Sequence, residues 1–297
     1  MRFASVFITF VAALASLLLI FGCYKEKTAI KNIGGFEDVV QKTEDYKQEI
    51  QDLKQKLQNL AAEKTELEGT LATLQSRENY KTTPTAFLTF DGGFSQNTVD
   101  VIETLDKNDL KGTFYVVGTN LKSSETLRSA LKSAWENGHK IGIRSYSDDL
   151  KKVYSGENSY FEDLYAIQNL VKEITGEAPT LVRMPGGTAT AEVLFERYTG
   201  SKDVFPKVLA RLEAEGFMVN DWSVDSKNAT NTDVDEIVST TLNSSSRTLK
   251  ATYKTCVVLF TDNKRANTSL PRIISGLKEQ GYAFATLPTG ICITRQR

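Results

Sequence analysis

Carboxylates, arginines and hydroxyls are the groups in this chain that could do chemistry, because imidazole and thiol are scarce. A single histidine, His139, and three cysteines, Cys23, Cys256 and Cys292, are all that 297 residues provide of either. Water activated on zinc usually sits among imidazole or thiolate ligands, and a general base near neutrality is most often imidazole. Neither a four-cysteine nor a two-cysteine, two-histidine cluster can be assembled, and neither can a site with two or three histidines. Asp148, Asp149 and Asp262 offer an oxygen-ligand set for Ca²⁺ or Mg²⁺, without helper ligands at a known spacing.

These groups need a scaffold, and the apolar periodicity supplies one. Strands are predicted at Ala86–Phe90, Thr113–Val117, Lys140–Ile143, Thr180–Arg183, Phe217–Val224, Val257–Phe260 and Tyr282–Leu287. Capped helices fall between them: Ser159 with Glu162 opens one that closes at Gly176, and the helix after Ser269 stops at Gly281. Alternating strands and helices at this spacing imply a parallel sheet, open or closed into a barrel, with functional residues at the C-terminal strand ends.

The strand ends carry recognisable strings. They are Thr89-Phe90-Asp91-Gly92-Gly93, Gly138-His139-Lys140-Ile141-Gly142-Ile143-Arg144-Ser145-Tyr146-Ser147-Asp148, Arg183-Met184-Pro185-Gly186-Gly187, Asp221-Trp222-Ser223-Val224-Asp225 and Leu259-Phe260-Thr261-Asp262. In order and spacing these resemble the polysaccharide deacetylase, or NodB-homology, family over about Thr85 to Leu287. The resemblance implies an α/β fold, a distorted (β/α)7-type barrel. Its metal-bound water removes N- or O-acetyl groups from polysaccharides, using zinc or another divalent cation on an Asp-His-His triad, an Asp base and a late-strand His acid.

Carried over residue by residue, the resemblance keeps the base position as Asp91, the arginine that orients it as Arg183, with a purely structural ion pair the competing reading for that arginine, and a site carboxylate as Asp225. Pro185, Gly186, Trp222 and Leu259 take positions suited to a substrate groove, with ordinary core packing the competing reading for Trp222 and Leu259. The three metal-ligand positions hold Gly92, Arg144 and Asp148, and the general-acid position holds Thr261. Asn228 and Ala229 replace an Asp-Trp pair, and His139 matches a residue that is no ligand. Gly92 has no side chain, and a guanidinium cannot coordinate a cation. Arg144 is therefore expected to fill the vacated space and pair with Asp91, Asp148 or both, and no metal cofactor is expected.

The rest of the chain concerns location and assembly. Residues 3–22 form an uncharged apolar stretch that spans roughly 30 Å as a helix, enough for a bilayer core. Residues 1–23 read either as a signal-anchor or as a lipoprotein signal ending at a lipidated Cys23, followed by a juxtamembrane linker at 24–35. Over 36–79 a heptad places Phe36, Ile50, Leu57 and Leu71 at a, and Val39, Tyr46, Leu53, Leu60, Leu67 and Leu74 at d. Thr43 and Lys64 interrupt the seam. A coiled-coil stalk forming a parallel homodimer through 36–76 is expected, then a linker at 80–84 and the deacetylase-like domain at 85–290. A helical hairpin on the domain is the competing arrangement.

Lys plus Arg number 36 against 37 acidic residues, so nucleic acid is not an expected partner. Cys256 and Cys292 are expected as small buried residues. The expected function is that of a membrane-tethered deacetylase homologue facing the outside of a bacterial cell, lacking metal-dependent activity and serving glycan binding or an envelope scaffold. The alternative is an active deacetylase of peptidoglycan or chitin-like glycans, hydrolysing non-peptide C–N bonds through a non-standard site.

Overall fold

The computed structural model describes residues 36–289 and 292–295. The expected membrane segment, Cys23 and the juxtamembrane linker lie outside the described residues. Among those described, no helix is long and apolar enough to cross a membrane. The chain divides into two compact units, one ending at Glu68 and the other running from Gly69.

Helix α1 (Phe36–Thr82) is 47 residues long, three residues longer at its end than the heptads alone suggest. Leu53, Leu57, Leu60, Leu67 and Leu71 on its seam are all between 56% and 62% exposed. Pro84 then blocks further helix, since its ring disfavours helical backbone in the preceding residue.

The second unit is a curled parallel sheet with helices outside it. Strands β1 (Thr85–Gly93), β2 (Thr113–Val117), β3 (Lys140–Ser145), β4 (Leu181–Val182), β5 (Met218–Val219), β6 (Val224–Asp225) and β7 (Thr255–Thr261) run in the order β5-β4-β3-β2-β1-β7-β6. A short β8 (Ala283–Phe284) also pairs with β1. The single strand expected at Phe217–Val224 is a correction: the chain leaves one edge at Val219 and enters the other at Val224. Asn220 to Ser223 cross the gap, so the sheet is a half-barrel rather than a closed one.

Helices α2 (Gln96–Asp106), α3 (Gly118–Lys122), α4 (Glu125–Glu136), α5 (Leu150–Val153), α6 (Glu157–Thr175), α7 (Thr188–Thr199), α8 (Val204–Ala214), α9 (Val234–Thr248) and α10 (Lys264–Glu279) complete it. Two predicted starts move. α6 opens at Gly156, ahead of Ser159, though it ends at Gly176 in the left-handed conformation as expected. α10 opens at Asn263, whose side chain accepts from the Ala266 N–H, leaving Ser269 inside the helix to bond back to the Arg265 carbonyl.

Strand alternation decides what faces the interior. On β1, Ala86, Leu88 and Phe90 join the core beneath the helices, with Phe90 stacked between Phe114 and Phe260 at 5.0 and 5.2 Å. Phe87, Thr89 and Asp91 therefore face the concave side, as do Tyr115 of β2 and Leu181 of β4. Gly142 is required on β3: a Cβ there would sit 2.7 Å from the Tyr115 ring. The next residue on that face is Arg144, which brings it to the same concave mouth as Asp91.

Candidate active site

Asp91 lies two residues before the end of β1, next to a bulge at Gly92 where the register against β2 shifts. Gly92 has φ 86°, a left-handed conformation costly for most side chains, and a Cβ would lie 3.2 Å from Arg144 Nη1. The position that the resemblance assigns to a metal carboxylate is thus shaped around a glycine and a guanidinium.

Arg144 lies between two carboxylates. Its Nε is 3.5 Å from Asp91 Oδ1 and its Nη2 is 3.1 Å from Asp148 Oδ1. The first contact is coulombic: Asp91 Oδ1 and Arg144 Nε are buried and neither has a hydrogen-bond partner. Burial raises the Asp91 carboxyl above its ordinary value, the dominant influence. Arg144 and Arg183 pull against it, Asp148 reinforces it, and a hydrogen bond from the Gly92 N–H opposes it.

The loop carrying Asp148 is held by a residue outside the strand-end motifs. Asp163, buried on α6, accepts four hydrogen bonds: Ser145 Oγ at 2.7 Å, the Tyr146 N–H at 2.7 Å, the Ser147 N–H at 2.9 Å and Ser147 Oγ at 2.6 Å. Ser145 Oγ in turn accepts from the Asp148 N–H at 2.9 Å, supporting left-handed backbone at Asp148. The signal available in the sequence was an aspartate on the buried face of a helix, beside Tyr160 and Leu164.

Arg183 departs from the expected role. It is fully buried and makes no ion pair among the described residues. Its Nη1 donates to Thr89 Oγ1 at 2.9 Å, its Nε to the Asn220 carbonyl at 3.1 Å and its Nη2 to the Asp221 carbonyl at 2.7 Å. The guanidinium lies 4.1 Å from the Tyr115 ring centre and 5.6 Å from that of Trp222. It closes the gap between β5 and β6 by satisfying carbonyls that have no sheet partner, and it reaches Asp91 only through its field.

The other expected site residues scatter. Asp225 turns to Lys227, accepting its N–H and its Nζ at 2.8 Å each, and does not join Asp91. Pro185 is buried, with its carbonyl taken by Tyr154 Oη at 2.8 Å, whereas Gly186 is exposed. Leu259 is 8% exposed and Trp222 packs half-buried against the inner core, which favours packing over a groove. Thr261 is the register partner of Asp91 on β7. Asn228 holds it by its backbone, donating to the Thr261 carbonyl at 2.7 Å and accepting its N–H at 2.9 Å.

The oxygen-ligand idea fails on position. Asp149 caps α5, Asp148 faces Arg144, and Asp262 is raised by burial against hydrogen bonds from Ser95 and Thr98. Among the described residues no group of three His, Cys, Asp or Glu is placed to hold a metal. The residues present do not fit a divalent cation at the Gly92–Arg144–Asp148 position, because the guanidinium already supplies positive charge between the two carboxylates.

His139 is structural. Its Nδ1 accepts from the Gly112 N–H at 3.1 Å, so Nε2 carries the proton and donates to Asp106 Oδ1 at 3.2 Å. Burial lowers its pKa despite Asp106. Cys256 is buried as expected, with its thiol pushed up to about 12 by burial. Cys292 is exposed, which corrects its expected burial, and both are unpaired.

A family model, polysaccharide deacetylase, matches residues 78–200. A peptidoglycan-N-acetylglucosamine deacetylase of Bacillus cereus is 29% identical over 213 residues, covering 71% of this chain and 72% of that protein. The catalytic domain of a peptidoglycan N-acetylglucosamine deacetylase from Eubacterium rectale shares the fold, with a TM-score of 0.62, 24% identity, and coverage of 72% and 93%. A polysaccharide deacetylase of Bacillus cereus superposes with a TM-score of 0.56 at 28% identity, covering 69% of this chain and 92% of that one. The half-barrel, the order of its strand-end motifs and these likenesses agree on a polysaccharide deacetylase-type domain in this chain, matched by the family model over residues 78–200.

Proposed function

We propose that this protein binds N-acetylated envelope glycan of the peptidoglycan kind without removing acetyl groups through a metal. The observation that carries the reading is Arg144 standing between Asp91 and Asp148, with Gly92 beside it. A cation in that space would be repelled, and Thr261 offers no imidazole to protonate a leaving amine. The B. cereus relative named for peptidoglycan supports the glycan class and an envelope location. Residues 3–22, or a lipid on Cys23, would tether the chain with its domain outside the cell.

The test joins zinc analysis of the purified chain to acetate release from N-acetylglucosamine oligomers and peptidoglycan, with cosedimentation on peptidoglycan. The expected result is retention on peptidoglycan with neither stoichiometric zinc nor acetate. Metal-dependent release that is lost in Asp91→Ala would overturn the reading in favour of an active deacetylase. Absence from the peptidoglycan pellet would refute the binding role.

A further inference from the structure

We infer that the exposed seam of α1 is covered by a second copy of this chain running antiparallel to the first. The seam leaves Leu53, Leu57, Leu60 and Leu67 more than half exposed on a helix of 47 residues, so it needs a partner. The flanking charges decide the orientation. In the heptad frame the e positions include Lys47, Lys54, Ala61 and Glu68, and the g positions include Lys42, Glu49, Lys56 and Glu63.

A parallel, in-register pair sets each g residue against the e residue of the partner's next heptad. Lys42 then meets the partner's Lys47 and Glu63 meets the partner's Glu68. Only Glu49 gains an opposite charge, the partner's Lys54. The core suffers as well, because a faces a and Lys64 lies against the partner's Lys64.

An antiparallel pair sets g against g and e against e, with a facing d. The register that overlaps the two helices most fully has its twofold axis between Gln58 and Asn59. Lys56 then meets the partner's Glu63 and Lys47 meets the partner's Glu68, each contact occurring twice by symmetry. Leu57 packs on the partner's Leu60, and Lys64 lays its aliphatic stem on the partner's Leu53 instead of facing another ammonium. Like charges meet only at the ends, Lys42 against position 77. This reverses the parallel orientation that the apolar seam alone suggested, and it is independent of what happens at Asp91.

The experiment is a charge-swap cycle on the full chain in density-matched detergent, read by sedimentation equilibrium. Lys47→Glu and Glu68→Lys singly are each expected to raise the dimer dissociation constant about threefold to tenfold, since two symmetric pairs turn from attraction to repulsion. The double variant is expected to restore the parent value. A parallel pair predicts the reverse for the single variants, because each relieves a like-charge contact. Tighter or unchanged dimers in either single variant, or a chain that stays monomeric, would refute the inference.

Discussion

Arg144 Nε stands 3.5 Å from Asp91 Oδ1 without a hydrogen bond, so charge alone holds these two side chains together at the mouth of the sheet. Both are largely buried, at 17% and 12% side-chain exposure. Removing one partner therefore strands the other in a poorly solvated place. Arg144→Met is expected to cost about 2–3 kcal/mol in urea unfolding. Arg144→Met with Asp91→Asn should recover most of that loss. Equal losses in the single and double variants would mean that the pair does not stabilise the mouth.

The raised carboxyl of Asp91 also sets a pH signature. Its folded pKa lies above the ordinary 3.8, so the stability it contributes is fully present below 3.8 and is lost as pH rises through the folded value. Asp91→Asn should flatten that decline in unfolding midpoints measured across the acid range. His139 works in a different window. Its folded pKa is below 6.5, so its contribution is complete above 6.5 and is lost as pH falls toward the folded value. His139→Ala should abolish that second slope and cost about 1–3 kcal/mol through the orphaned Gly112 N–H.

The sequence carried these features unevenly. Strand periodicity placed β2 to the residue, and motif order placed Asp91 and Arg144 near the ends of β1 and β3, on either side of β2, because alternation fixes which side chains share the concave face. Arg183 was placed correctly but given the wrong partners. Its contacts depend on Asn220 and Asp221 leaving the sheet, and a continuous apolar run at Phe217–Val224 does not reveal that break. Asp225 likewise turns aside through a local turn with Lys227, whose backbone is left-handed at φ 62°, something no spacing rule forecasts.

Four hydrogen bonds converge on the buried carboxylate of Asp163, which makes it the natural place to loosen the loop below the site. Asn can accept through only one oxygen and would turn its amide donors toward Ser147 or Ser145. Asp163→Asn is expected to destabilise the domain by about 3 kcal/mol, against under about 1 kcal/mol for the more exposed Asp148→Asn. Thermal unfolding of the two variants side by side checks this. Equal effects would remove Asp163 as the anchor of the 145–148 loop.

Rebuilding the ligand set asks whether the scaffold still accommodates the family's metal chemistry. Gly92→Asp alone is expected to destabilise by about 1–2 kcal/mol, since the backbone is left-handed and Arg144 Nη1 crowds the new Cβ. Arg144→His relieves that crowding. Asp148→His should be tolerated, because histidine accepts positive φ better than most residues and the Asp148 N–H is already fixed by Ser145 Oγ. Thr261→His leaves the Asn228 clamp intact, because that clamp grips only the backbone. With all four changes, calorimetric titration should detect zinc binding tighter than that of the parent chain, and Asp163→Asn in that background should weaken it by loosening the loop. Zinc binding equal to the parent's in the fourfold variant would mean that the strand ends no longer converge on a common point.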